Sequence, residues 1–352
     1  MPAGRVDWID YSKGVCIILL VILQATFEYE QSVNNTGWMH AVSVWASPFV
    51  LPALFLIAGL FLKRALFGSK SAFFDRNVLR FVYFYALWLT LQTLILQGHA
   101  LLNDPLSVLG NFAHAWIEPS EGLWILPMLA IFHIATWLLR FVQIARVLLV
   151  ASLLQIFHAA GLIHTGLLVV DRFAEFYIFF FAGYVGINLV ADYGRALLRG
   201  FSGMPMALGV WAVIHTILVY QDTITLPLIS LIAGFAGIVA MIGLGTQLSR
   251  ISWFDPIRFA GRHYLVIYLT YFIPLTGLVA WLSAEGHVAN IGLASLLVAI
   301  PAILLPLAFY QLIHKTPLIS LYRRPVSFRL KTARPDYAGS LLTSPSNRTE
   351  NA

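Results

Sequence analysis

The sequence predicts an all-α membrane protein, a ten-helix transmembrane bundle with both termini cytoplasmic, and three observations carry that prediction. Hydrophobic residues fill 59% of the 352 positions and charged residues only 11%, with a mean hydropathy of +0.81. Soluble domains carry about 25% charged residues. The apolar residues gather in runs near the spanning length of about 20 residues, without strand-like alternation or internal repeats. Basic residues collect in alternate connections between those runs, as the positive-inside tendency requires of a multi-pass protein.

Ten segments qualify in chain order: residues 11–29, 43–63, 78–98, 122–141, 147–163, 172–191, 204–221, 226–248, 262–283 and 290–314. Helix is the economical reading for each, because lipid leaves open backbone groups unsatisfied. The first run is longer than a signal-peptide core and lacks a small-x-small cleavage site, so it reads as retained. It holds Cys16, the single cysteine, which excludes a disulfide within the chain. The second run contains Pro48 and Pro52. Only the Arg140–Arg146 stretch separates the fourth from the fifth, which predicts a tight helical hairpin. The fifth is the shortest.

With the amino terminus inside, alternation through ten spans places Arg5, Lys13, Lys63, Arg64, Lys70, Arg76, Arg80, Arg140, Arg146, Arg195, Arg199, Arg250, Arg258, Arg262, Lys315 and every basic residue from Arg323 onward on the cytoplasmic side. Arg172 alone falls outside. The net charge of +6 is thereby a topology signal, and nucleic acid is excluded as a partner. The outer connections carry Glu30, Asp104, Glu118, Glu121, Asp171, Asp222 and Glu285. The longest, residues 99–121, also holds His99, His114 and Trp116, an aromatic-plus-carboxylate mixture that suits a sugar. Residues 1–316 form the transmembrane domain. From Pro317 to Ala352 the chain turns polar and basic, and reads as a disordered cytoplasmic tail near anionic lipid headgroups.

Polar residues inside the first run mark the functional face. Lys13 and Gln24 are eleven residues apart, about three helical turns and about 16 Å, so both project from one side. Glu28 follows Gln24 by one turn. Polar groups in hydrocarbon are normally turned toward a partner or a cavity. Arg76 and Arg80, four residues apart, share a helix face at the inner end of the third run, and Arg258, Arg262 and His263 precede the ninth. Such a basic inner mouth serves topology and headgroup contact, or it holds a phosphate-rich ligand by forked guanidinium contacts. His133, His158 and His215 lie in separate spans and read as packing residues. No metal-ligand spacing, Walker loop or nucleophile elbow is present.

The order of short motifs resembles the acyltransferase-3 family of bacterial inner-membrane proteins. The motifs are Trp8-Ile-Asp-Tyr-Ser-Lys-Gly-Val, Ser47-Pro48-Phe49 through Pro52 to Gly59, Arg76 through Arg80 to Trp88, Gly122-Leu-Trp-Ile-Leu126, Phe179-Phe-Phe-Ala-Gly-Tyr184 and Gly261-Arg-His-Tyr-Leu-Val-Ile-Tyr-Leu269. Together they span about residues 5–315. The resemblance implies a multi-pass protein of the bacterial inner membrane. It implies transfer of an acyl group, usually acetyl, from cytoplasmic acyl-CoA to a carbohydrate or similar acceptor at the outer face. Acyl-CoA is then a substrate, and no cofactor is permanently bound.

Carried over residue by residue, the first-span candidates are Asp10, Lys13, Gln24 and Glu28. The donor-side candidates are Arg76, Arg80, Arg262 and His263, and the acceptor-side candidates His40, Trp124 and Glu121. Two positions depart from the pattern. The family has a histidine where this chain has Gln24, and relatives often have an arginine where it has Val50. Glutamine orients a hydroxyl but cannot deprotonate it near neutral pH, and loss of a general base costs about 10²–10⁴ in rate. Three readings stay open: a weak or inactive member that binds without transferring, another base such as Glu28 or His40, or a substitution in the sequence. A transporter of the same fold is the alternative from a different class.

Overall fold

The structure is a computed structural model that describes residues 7–119, 122–199, 203–285 and 290–330. Among these, α1 (Asp7–Val33) is the axis of the bundle, bordered by α2 (Trp38–Leu60). Short turns through Leu62–Leu66 and Lys70–Phe74 and a π-helical turn at Asp75–Leu79 lead into α3 (Arg80–Asn103). Then come α4 (Pro105–His114), α5 (Ile125–Leu138), α6 (Ile144–Ala159), α7 (Leu168–Val185), α8 (Ile187–Leu198), α9 (Met204–Tyr220) and α10 (Pro227–Leu248). The chain closes with α11 (Asp255–Arg262), α12 (Tyr264–Thr270), α13 (Phe272–Glu285) and α14 (Ile291–Ile313).

Each of the ten expected segments falls on a helix, but length divides them. Five helices are individually long and apolar enough to cross a membrane: α1, α2, the stretch Lys70–Gly98, α10 and α14. The expected sixth span is broken at Gly186, where α7 and α8 meet at 72°, and the ninth at Tyr271, where α12 and α13 meet at 44°. Counting each bent pair as one span gives seven. The remaining three, α5, α6 and α9, are apolar but hold only 14, 16 and 17 residues. The ten-span count therefore depends on these short helices crossing as well. The membrane-facing character is plain on α6, α9 and α14, where Leu149, Val150, Val213, Ile214, Leu304 and Leu305 are exposed. Pro48, Pro52, Pro301 and Pro306 lie inside unbroken α2 and α14.

Helix α1 packs against α2, α10, α11, α12, α13 and α14. Small residues permit this crowding. A Cβ on Gly261 of α11 would lie 1.8 Å from the Asp10 carbonyl oxygen, and one on Gly14 would lie 2.0 Å from that of Ile257. The α2–α7 crossing uses Gly59 and Gly183 in the same way, against the carbonyls of Phe180 and Leu56. Gly234, Gly237, Gly243 and Gly245 face Phe179, Phe49, Met204 and Ser12. These close approaches are all made within the bundle. The core between α2, α5 and α7 is aromatic, with Phe55, Phe132, Phe176 and Phe180 in edge and tilted contacts.

The segment after α14 departs from expectation. The tail read as beginning at Pro317 is folded through Leu330: two 3₁₀ turns, Pro317–Leu321 and Val326–Phe328, hold it to the bundle, with Tyr322 and Arg324 buried. Hydrogen bonds from Trp88 Nε1 to the Leu321 carbonyl (3.0 Å) and from the Leu330 amide to Asp75 Oδ1 (2.8 Å) explain why a basic stretch stays attached. Residues 331–352 lie outside the described residues.

Candidate functional site

The amino-terminal end of α1 is stapled to α11 by charge. Arg262 Nε donates to Asp10 Oδ2 at 3.2 Å, and its Nη2 lies 3.3 Å from Asp7 Oδ1. Arg258 lies 3.6 Å from Asp7 and 3.1 Å from Asp255, whose Oδ1 also accepts from Tyr11 OH at 2.7 Å. Asp10 is buried, so its role here is to hold α11 and the Arg262 guanidinium against α1.

Next to this staple a cleft of about 390 Å³ opens, lined by Arg80, Arg262, His263, Tyr264, Leu265, Val266, Tyr310, Tyr322 and Arg323. Three of the four residues expected on the donor side meet there: Arg80, Arg262 and His263. Arg76 is not among the lining residues. The four-residue spacing that would align it with Arg80 assumes α geometry, and the π-helical turn at Asp75–Leu79 interrupts that geometry. No carboxylate lines the cleft. Among the described residues neither Arg80 nor Arg323 forms an ion pair; Arg80 lies over the Phe81 ring, and Arg323 Nη2 is 3.4 Å from Tyr310 OH. His263 Nδ1 is 2.9 Å from the Phe259 carbonyl, and its ring packs against Tyr310. Burial raises the Tyr322 phenol above its ordinary pKa, so it stays neutral beside the guanidiniums. Asp10 and Asp7 compensate Arg262. Arg80 and Arg323 bring positive charge to the cleft without a carboxylate partner among the described residues, which favours an anion, and pairs of guanidiniums suit phosphate oxygens.

Lys13 is half-buried one ring behind the cleft, its ammonium 5.3 Å from the centre of the Tyr264 ring and 5.0 Å from that of Phe61. Gln24 is half-buried three turns further along α1. The expected open polar face between them is filled instead, because Ile17 (1% exposed) and Leu20 (6%) project from the same side and are sealed in the core. Gln24, Lys13 and Glu28 line neither this cleft nor the outer one described next. Val50 is fully buried in the same apolar waist.

At the opposite end the chain reversal between α1 and α2 is organised by Glu30. This buried carboxylate accepts from the Gly37 amide at 2.9 Å through Oε1 and lies 2.7 Å from His40 Nδ1 through Oε2. An ionised carboxylate only accepts, so His40 donates from Nδ1 and a neutral ring keeps Nε2 as an acceptor. The His40 side chain is 42% exposed and lies edge-on to Phe27, one turn beyond Gln24. Sequence reasoning singled out His40 but counted Glu30 only as a loop acid. The ten-residue separation across a turn hides the pairing.

The other acceptor-side candidates behave differently. Trp124 is buried, tilted against Phe55 and Phe176 with Arg172 over its ring, and lines neither cleft. Glu121 lies outside the described residues. The long outer connection forms α4, capped by Asp104, and with α3 it borders a second cleft of about 250 Å³. Gln92, Thr93, Gln97, Asn111, His114 and Glu118 supply its polar wall. Two of the three membrane histidines, His133 and His215, take up packing roles. His133 donates to the Leu129 carbonyl between Phe81 and Phe180, and His215 to that of Trp45 beside Trp211. Among the described residues no group of three His, Cys, Asp or Glu side chains is placed to hold a metal ion.

The family model of an acyltransferase domain, Acyl_transf_3, matches residues 6–312, nearly the whole helical bundle. The chain belongs to the acyltransferase-3 family. No curated protein and no solved structure matches it. Membership makes this multi-pass chain a member of a membrane acyltransferase family, with its α1 staple, basic cleft and Glu30–His40 turn all inside the matched region except for the Arg323 and Tyr322 wall.

Proposed function

We propose that the chain is an integral inner-membrane O-acyltransferase of bacteria. It moves an acyl group, acetyl by family resemblance, from cytoplasmic acyl-CoA to a hydroxyl of a cell-surface carbohydrate. The observation that carries this reading is the cleft shared by Arg80, Arg262, His263 and Arg323 without an acidic lining residue, which suits the phosphates of CoA. The thioester arm then points along α1, past Lys13, toward Gln24. At the other end, the acceptor hydroxyl attacks the thioester carbonyl. His40 Nε2 takes the hydroxyl proton while Glu30 holds the ring, Gln24 orients the hydroxyl, and the CoA sulfur leaves as a thiolate that picks up a proton. Passage requires the side chains of Ile17 and Leu20 to move aside.

Purified protein in lipid nanodiscs tests this with labelled acetyl-CoA. Binding at micromolar concentration, weakened about ten-fold or more by Arg80→Ala, together with release of free CoA thiol, is the expected result. No donor binding sinks the donor-site reading. Donor binding without thiol release or transfer supports the second reading, a non-catalytic member, which Gln24, Val50 and the filled α1 face favour. Uptake into proteoliposomes without thioester cleavage favours a transporter.

A further inference from the structure

The segment that follows α14 is held with more care than a tail needs. Arg324 and Asp75 are both more than nine-tenths buried, with Nη2 and Oδ2 2.5 Å apart, and Arg324 Nη1 also donates to the Asp75 carbonyl at 2.9 Å. Further bonds run from Trp88 to Leu321 and between Thr270 Oγ1 and Tyr322 OH at 2.6 Å. A buried ion pair adds little net stability over an apolar contact of the same volume, and its best-attested use is to fix register. The register fixed here is informative. Asp75 opens the π-helical turn that delivers Arg80, and Arg324 is the immediate neighbour of Arg323. The lock thus sets the spacing of the two guanidiniums that face one cleft with no carboxylate partner among the described residues. Holding the Arg80 and Arg323 guanidiniums at one cleft is unfavourable until an anion sits between them.

We propose that residues 317–330 are the closing wall of the anion cleft, and that Arg323 is a phosphate ligand presented by the Arg324–Asp75 lock. The ligand class is a pyrophosphate-bearing nucleotide, bridged between Arg80 on the bundle and Arg323 on the strap. The half-buried rings of His263, Tyr264 and Tyr310 border the space its base would take. The identification of that nucleotide as CoA rests on the function proposed above; the bridging of pyrophosphate does not. A ligand that contacts bundle and strap together binds better when the strap is docked. By reciprocity it must stabilise docking by the same factor.

The test uses the full chain in phosphatidylcholine nanodiscs and, separately, in nanodiscs with phosphatidylglycerol. Binding of CoA and of inorganic pyrophosphate is titrated for the wild type, Arg323→Gln, Arg324→Gln and Asp75→Asn. Amide exchange over 317–330 is followed with and without each ligand. Arg323→Gln, which removes an exposed side chain, is expected to weaken both ligands about ten-fold while leaving strap exchange unchanged without ligand. Arg324→Gln and Asp75→Asn are expected to speed that exchange, and ligand to slow it in the wild type. Unaltered affinity in Arg323→Gln, or strap exchange indifferent to ligand, overturns the proposal. An Arg323 effect seen only with phosphatidylglycerol assigns the residue to lipid headgroups and overturns it too. Pyrophosphate bound through Arg323 without CoA binding upholds the strap site and overturns the donor reading; binding of neither overturns both.

Discussion

His40 Nδ1 lies 2.7 Å from the carboxylate of Glu30, and the two residues close the turn between the first two helices. The same pair can serve structure or chemistry, and substitution separates the roles. His40→Gln keeps a hydrogen bond to Glu30 but cannot accept a proton, so transfer is expected to fall about 10²–10⁴-fold with CoA affinity unchanged. Thiol release at saturating donor measures this. A purely structural pair would lower expression and leave turnover per folded molecule intact.

Gln24→His restores a titrating ring on the half-buried face of α1. In the His40→Gln background it is expected to recover at least ten-fold of the lost thiol release, since a positioned base is worth about 10²–10⁴. Unchanged turnover in that double variant would mean that position 24 is not where the reacting hydroxyl rests.

Gly261→Ala places a methyl group 1.8 Å from the Asp10 carbonyl oxygen and 2.7 Å from the Gly14 amide nitrogen. Backbone atoms cannot rotate away, so overpacking is expected to cost about 1–3 kcal/mol, read as a lower thermal inactivation temperature in detergent. Gly209→Ala in α9 meets nothing within 4 Å. It is expected to be neutral or to stabilise by about 0.4–1 kcal/mol.

Asp10→Asn weakens the bond to Arg262 Nε at a buried site. The expected cost is about 1–3 kcal/mol of stability, with thiol release per folded molecule preserved. Loss of turnover in fully folded Asp10→Asn protein would give Asp10 a place in the chemistry rather than in the staple.

The central position of the first helix was legible because polar residues in an apolar run have to be covered, and covering them requires neighbours on several sides. The basic cleft was half legible. Arg80, Arg262 and His263 advertise themselves as charges at the ends of apolar runs, whereas Tyr310, Tyr322 and Arg323 arrive from elements far away in sequence. The apolar Pro317-Leu-Ile-Ser-Leu-Tyr322 stretch was the one signal that the segment folds back. Hydropathy is blind to backbone direction, which is why the bends at Gly186 and Tyr271 passed as continuous spans. Glu30 was overlooked because its partner lies beyond a turn whose geometry no periodicity reports.

Ile17 and Leu20, locked between the two polar ends of α1, have a consequence for the cell's energy supply. A water-filled path from the basic mouth beside Lys13 to a histidine at the far surface would let protons leak and drain the gradient across the bilayer. Two aliphatic side chains in the middle interrupt any such wire of water at rest, so the protein can keep ionisable groups near both surfaces without acting as an uncoupler.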